Sequence, residues 1–156
     1  MTDLWRLDAT EQARLIRTGA ISSVELTKAT LARVDSVNPK INAIVDLLAD
    51  DALKAAADAD KKTRKGEPLG SLHGVPVTVK INVDFAGRAN TNGVVAYKDN
   101  IGKEDNPVVS NIRKSGAVII GRTNTPAFSM RWFTDNALHG RTLNPWNKGV
   151  TPGGSS

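Results

Sequence analysis

Apolar residues in the first 70 positions recur at the three- and four-residue spacing of amphipathic helices. Three such stretches cover residues 8–19, 22–38 and 46–66. The first two begin with the spacing of a capping box, in which Asp8 and Ser22 each precede a glutamate by three positions. Because the residue before a proline avoids helical geometry, we expect the second helix to end at Asn38. The pattern therefore predicts a mainly helical region over residues 1–69.

The remaining region, residues 70–156, contains short runs of β-branched residues separated by turn-forming ones. We expect strands over residues 41–45, 74–85 and 117–121. A fourth helix is predicted from Pro107, which suits a first helical position, to about Lys114. Strands that alternate with helices indicate the α/β class, and we expect one domain or part of one.

Composition narrows the function classes before any motif is considered. The 156 residues hold 21 lysines and arginines against 16 acidic residues, and few aromatic residues, so we expect no nucleic-acid partner. No cysteine is present, and His73 and His139 are far apart in sequence, so we expect neither a metal site nor another cofactor. With no signal-peptide core and no long apolar run, a soluble cytoplasmic protein without membrane association is expected.

Lys80 interrupts the most β-branched stretch of the chain, Val77 to Val83. Burial disfavours a charged ammonium and therefore lowers the pKa of a lysine. A lysine that is neutral near physiological pH can act as a general base. The alternatives are an edge-strand lysine that prevents aggregation and a lysine that extends its ammonium into solvent.

The glycine- and serine-rich stretch from Pro152 to Ser156 is the second unusual feature. Glycines let a backbone approach a substrate closely, and neighbouring hydroxyls can relay a proton. The alternatives are a flexible tail and an ordinary loop. A P-loop is disfavoured because its Gly-Lys-Ser/Thr core is absent.

Taken together, these segments resemble the amidase signature family. Lys80 ends the stretch Leu72-His-Gly-Val-Pro-Val-Thr-Val-Lys80, which is similar to the strand that carries the family's catalytic lysine. Further similarity lies in Ile21–Leu26, Asn38–Ala43, Gly121–Phe128, Leu143–Asn147 and Thr151–Ser156. The resemblance covers nearly the whole chain in the family's order. It implies a mixed central sheet flanked by helices, of which this chain holds the N-terminal part.

The resemblance implies hydrolysis of a carboxylic amide by a Ser-cisSer-Lys triad. By motif, Lys80 is the lysine and Ser155 is the bridging serine, whose peptide bond is cis in the family. The family's nucleophilic serine lies beyond the double-serine motif. We therefore expect it to be absent from this chain, and the chain alone not to turn over amides. Ser156, the neighbour of the bridging serine, is not expected to be the nucleophile. Its hydroxyl is expected to help fix the Gly-Gly-Ser-Ser loop, and Ser156 is predicted as a substrate-binding residue.

Departures from the family pattern favour a free-standing amidase. Ile81 stands where aspartate is commoner, and without that negative charge Lys80 is more readily neutral. Ala127 stands where many members have glutamate. The amidase subunit of a glutamyl-tRNA(Gln) amidotransferase, which requires partner subunits, is therefore the second hypothesis. A non-catalytic module that binds through the Gly-Gly-Ser-Ser loop is the third.

The segment Arg131-Trp132-Phe133 replaces a small, glycine-rich piece that lies near the acyl pocket in the family. Met130, Trp132 and Phe133 are therefore expected to line an apolar or aromatic substrate site, and the alternative is core packing. The expected partner is a small-molecule amide. Contacts with a second copy, or with the remaining part of the same polypeptide, stay open.

Overall fold

The structure, a computed structural model, describes residues 3–155. Four α-helices and three strands are present in this part of the chain: α1 (Ala9–Arg17), α2 (Ser23–Ile41), β1 (Ile44–Leu47), α3 (Ala49–Arg64), β2 (Pro76–Lys80), α4 (Pro107–Lys114) and β3 (Val118–Thr123). Short 3₁₀ helices cover Leu4–Arg6, Val95–Tyr97 and Ala127–Ser129. The predicted α/β class is confirmed.

The predicted starts of α1 and α2 are confirmed in detail, whereas α3 begins at Ala49, three residues later than predicted. At α1, Asp8 Oδ1 accepts a hydrogen bond from the Glu11 amide at 2.8 Å. At α2, the Glu25 amide donates to Ser22 Oγ at 3.0 Å, and the Ser22 amide donates back to the Glu25 carboxylate at 2.7 Å. These reciprocal bonds satisfy amides that have no partner within the helix. Local sequence therefore determines where both helices begin.

The predicted end of α2 at Asn38 is wrong, because the helix continues through Pro39 to Ile41. The Asn38 side chain accounts for the extra turn. Its Oδ1 accepts from the amides of Ala43 and Ile44 at 2.9 and 2.8 Å, and its Nδ2 donates to the Ile44 carbonyl at 2.8 Å. These bonds connect the last turn of α2 to the start of β1 and stabilise helical geometry before the proline.

The three strands form one sheet in the order β1-β3-β2. β1 and β3 are antiparallel, with Asp46 opposite Arg122 and Leu47 opposite Gly121. The first predicted strand lies three residues too early, and the third extends two residues further than predicted. The second, predicted over 74–85, ends at Lys80, because the chain turns there and the Val83 amide bonds to the Lys80 carbonyl at 3.0 Å.

The chain divides into two compact units, neither of which is continuous in sequence. Unit 1 comprises residues 1–36, 48–78 and 110–120, and unit 2 comprises residues 37–47, 79–109 and 121–156. The core of unit 1 is apolar and is built from Leu31, Ala52, Ala56, Val118 and Ile120. Among residues 3–155, no helix combines the length and the apolar character that crossing a membrane requires.

Unit 1 also buries one carboxylate, that of Asp60 on α3. It accepts from the amides of Ser23 and Val24 at 2.7 and 3.2 Å. These amides belong to the first turn of α2, where free N–H groups and the helix dipole favour a negative charge. Asp60 therefore connects α3 to the start of α2 within unit 1.

Unit 2 has a more polar interior. The Arg122 side chain on β3 is 0% exposed, and its guanidinium donates to Asp46 Oδ2 at 3.3 Å, to the Ala89 carbonyl at 2.8 Å and to Asn90 Oδ1 at 3.2 Å. Asn90 Oδ1 also accepts from the Phe85 amide at 2.9 Å. A single guanidinium therefore holds the loop that follows Lys80.

Candidate active site

Lys80 is the last residue of β2 and is half-buried. Its neighbours in sequence, Val79 and Ile81, are both buried, whereas the Lys80 side chain leaves the backbone on the opposite side and is only partly removed from solvent. This burial lowers the pKa of Lys80 below the ordinary lysine value of 10.5. The amine is therefore more readily neutral than that of a solvated lysine.

Ser155 lies directly against this amine. Lys80 Nζ donates to Ser155 Oγ at 2.7 Å and also contacts the Ser155 carbonyl oxygen. The peptide bond between Gly154 and Ser155 is cis. The two residues are 75 positions apart in sequence, and the structure brings together the pair that the motifs predicted.

Glycine is required at position 154 because the backbone passes close to another segment. A Cβ on Gly154 would lie 3.2 Å from Thr134 Oγ1 and 3.3 Å from the carbonyl carbon of Phe133. The Gly154 φ angle is 147°, a conformation that other residues rarely adopt. Thr134 Oγ1 also donates to the Gly153 carbonyl at 3.2 Å, which further fixes the approach to Ser155.

The predicted substrate residues Met130 and Trp132 are on the surface of unit 2, with 83% and 88% of their area exposed. Phe133 is less exposed, and the Arg131 guanidinium lies 5.7 Å from its ring centroid. Among the described residues, neither Met130 nor Trp132 therefore packs in a core. Ser156, the fifth predicted site residue, lies outside the described residues.

A buried set of polar side chains supports this part of unit 2 and was not predicted from the sequence. Asn136 Nδ2 donates to Asn124 Oδ1 at 2.8 Å and to the Thr125 carbonyl at 2.7 Å. Asn124 Nδ2 in turn donates to the Gly140 carbonyl at 2.9 Å. Polar residues in a stretch without periodicity gave no signal that they are buried. The sequence did contain an indication that Arg122 is buried, because this charged residue directly follows the apolar run at residues 117–121.

Metal-binding capacity is limited in the part of the chain that the structure describes. Within residues 3–155, no group of three or more His, Cys, Asp or Glu side chains is arranged to hold a metal ion. His139 Nε2 lies 3.1 Å from Thr91 Oγ1, and burial, followed by the charge of Arg122, lowers the pKa of His139. His139 is therefore a neutral hydrogen-bonding partner near pH 7.

Residues 25–156 of this chain match the Amidase family model, and this match identifies the family. The chain belongs to this amidase family. This confirms the resemblance that the motifs indicated. The match covers both Lys80 and Ser155.

Individual relatives of this amidase chain agree with the match. It is 57% identical over 153 residues to an indoleacetamide hydrolase of Bradyrhizobium diazoefficiens, covering 98% of this chain and 29% of the relative. It is 39% identical over 155 residues to a glutamyl-tRNA(Gln) amidotransferase subunit of Salinispora tropica, covering 99% of this chain and 32% of that protein.

Among solved structures, a bacterial aryl acylamidase of the amidase signature enzymes superposes with a TM-score of 0.92 at 31% identity. The superposition covers 97% of this chain and 32% of the acylamidase. The amidase fold expected from the motifs is confirmed for this chain. The chain spans about 30% of the length of the relatives that it matches.

Proposed function

We propose that the protein hydrolyses a carboxamide to a carboxylic acid and ammonia or an amine, with Lys80 as the general base and Ser155 as the bridging hydroxyl. The observation that carries this proposal is the 2.7 Å distance between Lys80 Nζ and Ser155 Oγ. Membership of the amidase family supports the reaction class. Because the chain spans about 30% of its relatives, the tests below use the longest polypeptide in which this sequence occurs, called the parent polypeptide.

The proton relay follows from the groups that Lys80 contacts. Neutral Lys80 retains two N–H donors and one lone pair, so it can donate to the Ser155 carbonyl while accepting the proton of Ser155 Oγ. Ser155 then accepts a proton from the nucleophilic serine that the resemblance expects beyond the double-serine motif. That serine attacks the amide carbon, and the leaving amine takes a proton from the relay as the acyl-enzyme forms. Water then releases the acid.

The proposed substrate is an amide with an aromatic acyl group, and indoleacetamide is the first to test. The indoleacetamide hydrolase relative shares 57% of its residues with this chain over the aligned segment. Exposed Met130 and Trp132 supply apolar and aromatic surface for an indole ring, and we propose Ser156 as a further substrate-site residue. Aromatic rings stack or meet edge to face, which favours a flat substrate.

The decisive experiment measures ammonia release from indoleacetamide by the parent polypeptide and its variants. Lys80→Ala and Ser155→Ala are each expected to lower kcat by roughly 10²–10⁴-fold with KM largely unchanged, because a general base acts in the transition state. Lys98→Ala, at an exposed lysine of unit 2, is the matched control and is expected to retain activity. A loss confined to KM in Lys80→Ala would contradict the assignment.

The second candidate function is that of an amidotransferase subunit, favoured by the 39% identity to the glutamyl-tRNA(Gln) amidotransferase relative. It predicts that the parent polypeptide co-purifies with other subunits and releases ammonia only in their presence. A free-standing amidase is active alone. Failure of a serine-directed phosphonyl probe to label the parent polypeptide would instead favour the non-catalytic binding module.

The cytoplasm is the proposed location, with a small-molecule amide as the partner and neither nucleic acid nor membrane involved. The absence of cysteine from the 156 residues supports this, because a reducing compartment gives no use for disulfides. Cell fractionation tests the location. Size-exclusion chromatography of the parent polypeptide separates a monomer from a homo-oligomer.

A further inference from the structure

We propose that Asn82 is a positioning residue, which holds the substrate loop at residues 125–130 to the segment that carries Lys80. The inference rests on the proposed function, since it concerns the same site. Asn82 lies two positions beyond Lys80, after the end of β2. Its Nδ2 donates to Ser129 Oγ at 3.0 Å, although the two residues are 47 positions apart in sequence.

Ser129 lies in the middle of a short chain of hydrogen bonds that runs from Asn82 to Thr125, and the direction of each bond can be assigned. Thr125 Oγ1 donates its single proton to the Pro126 carbonyl at 3.1 Å. In the 3.0 Å contact between the two hydroxyls, Ser129 Oγ is therefore the donor and Thr125 Oγ1 the acceptor. Ser129 Oγ still has lone pairs for Asn82 Nδ2. Removing Asn82 thus removes one defined bond and leaves the other in place.

The loop has a backbone that requires such support. Phe128 and Ser129 have φ angles of 53° and 59°, a left-handed conformation that non-glycine residues rarely adopt twice in succession. The Phe128 amide donates to the Asn92 carbonyl at 3.0 Å, and its ring meets Tyr97 edge to face at 5.8 Å. These contacts fix Phe128, whereas the bond from Asn82 fixes Ser129. Met130, a proposed substrate contact, follows immediately.

Stability alone does not account for an asparagine at this position. Asn82 Oδ1 is buried and accepts no hydrogen bond from any described residue. A buried unpaired carbonyl destabilises the fold, and an apolar side chain of similar size would avoid that loss. We infer that the asparagine serves to make its one hydrogen bond, from Nδ2 to Ser129 Oγ.

The kinetic test uses the parent polypeptide with indoleacetamide. Asn82→Ala is expected to lower kcat/KM roughly ten- to a hundredfold, mainly through KM, because a displaced substrate loop disturbs binding geometry. If protonation of Lys80 stops the reaction, kcat/KM falls at low pH. Asn82→Ala is expected to leave the pH of this fall unchanged, since the contact between Lys80 and Ser155 is intact. Asn106→Ala removes another asparagine of unit 2, which caps α4, and is expected to lower Tm without changing KM.

Ser129→Gly is the second variant, because it removes the hydroxyl while making the left-handed backbone easier to adopt. It is expected to lose at least as much kcat/KM as Asn82→Ala, because it also removes the bond to Thr125, and the double variant is expected to lose no more than Ser129→Gly alone. An unchanged kcat/KM in Ser129→Gly overturns the inference even if Asn82→Ala fails to fold. Where both single variants fold, a fully additive loss in the double variant overturns it as well.

Hydrogen exchange provides a readout that does not depend on catalysis. The amides of Ser129 and Met130 bond to the carbonyls of Pro126 and Ala127 at 2.8 and 3.2 Å, and both are expected to exchange faster in Asn82→Ala and Ser129→Gly. If the unmodified parent polypeptide releases no ammonia, the proposed function fails and exchange alone decides whether Asn82 holds the loop. If it is active and exchange is unchanged, the inference fails and the function stands.

Discussion

Units 1 and 2 bury polar groups for different purposes. In unit 1 the buried Asp60 carboxylate caps a neighbouring helix, beside a core of aliphatic side chains. In unit 2 the buried Arg122 guanidinium and the Asn124–Asn136 pair hold irregular backbone in place. The four non-glycine residues with positive φ in the described part of the chain all belong to unit 2, and they are Asn42, Asn92, Phe128 and Ser129.

The difference indicates a division of labour between the two units. A helical unit with an apolar core derives its stability from burial and needs few long-range polar contacts. A unit made of loops has backbone groups that no helix or strand satisfies, so side chains must supply the partners. Arg122 holds the loop that follows Lys80, and Thr134 holds the backbone next to Ser155. Site geometry and stability should therefore be coupled in unit 2.

The largest expected effect concerns pH and the amine of Lys80 in unit 2. The proposed relay requires neutral Lys80, and burial lowers the pKa of this lysine below 10.5. Below that lowered pKa, kcat/KM should fall roughly tenfold per pH unit as the amine is protonated. Between the folded-state pKa and the unfolded value, the unfolded chain binds more protons, so stability should rise with pH.

The measurement is a pH profile of kcat/KM on the parent polypeptide. Lys80→Ala should remove this acid limb, leaving a low, flatter residual rate. Lys61→Ala in unit 1, where the lysine forms an exposed ion pair with Asp58, should leave the limb unchanged. An acid limb that persists in Lys80→Ala would show that another group titrates.

The next effect tests the polar interior of unit 2 by Arg122→Ala. The substitution leaves Asp46 and the acceptors at Ala89 and Asn90 without their shared donor. Asp46 is 25% exposed and keeps Arg88 at 3.7 Å, so the loss comes mainly from the buried backbone and Asn90 acceptors. Hydrogen bonds to a charged donor contribute about 1.5–3 kcal/mol each, so we expect the free energy of unfolding to fall by about 3 kcal/mol. Urea denaturation measures this change in the free energy of unfolding. Arg14→Ala, which removes an exposed ion pair of unit 1, should leave the urea midpoint unchanged within error.

The features that could be predicted from the sequence also differ between unit 1 and unit 2. In unit 1, helix starts at Asp8 and Ser22 were predicted because the capping groups lie three residues apart and are visible in any short window. The contact between Asp60 and Ser23 was not predicted, because it joins positions 37 apart. Local physics therefore determined the helices but not how they connect.

In unit 2, the pairing of Lys80 with Ser155 was predicted only through the family motifs. No local pattern links residues 75 positions apart, and the motifs supplied the missing information. The length of β2 was overestimated, since β-branched residues continue past the point where the chain turns at Val83. Strand ends depend on the partner strand, which a single segment of sequence does not contain.

A smaller effect is expected for Asp60→Ala in unit 1. The variant removes the carboxylate that accepts from the amides of Ser23 and Val24. Hydrogen bonds to charged groups contribute about 1.5–3 kcal/mol each, and part of that loss is recovered when water reaches the amides. Thermal or urea unfolding measures the change, and Asp58→Ala, at an exposed residue of the same helix, should have little effect. A loss of catalytic activity without loss of stability would break the proposed separation between the units.

The smallest effect compares two helix caps, Asp8→Ala for α1 in unit 1 and Asn106→Ala for α4. The bond between Asn106 and Val108 lies in unit 2, although most of α4 belongs to unit 1. Asp8 Oδ1 accepts from the Glu11 amide at 2.8 Å, and Asn106 Oδ1 accepts from the Val108 amide at 3.0 Å. Loss of an N-cap lowers the free energy of unfolding by about 0.5–2 kcal/mol in either setting, because the bond is local and solvent can replace it only in part. Urea denaturation should therefore give similar changes for the two variants. A much larger loss for Asn106→Ala would mean that even the local bonds of unit 2 are coupled to its buried polar network, and that the two units differ in cooperativity as well as in composition.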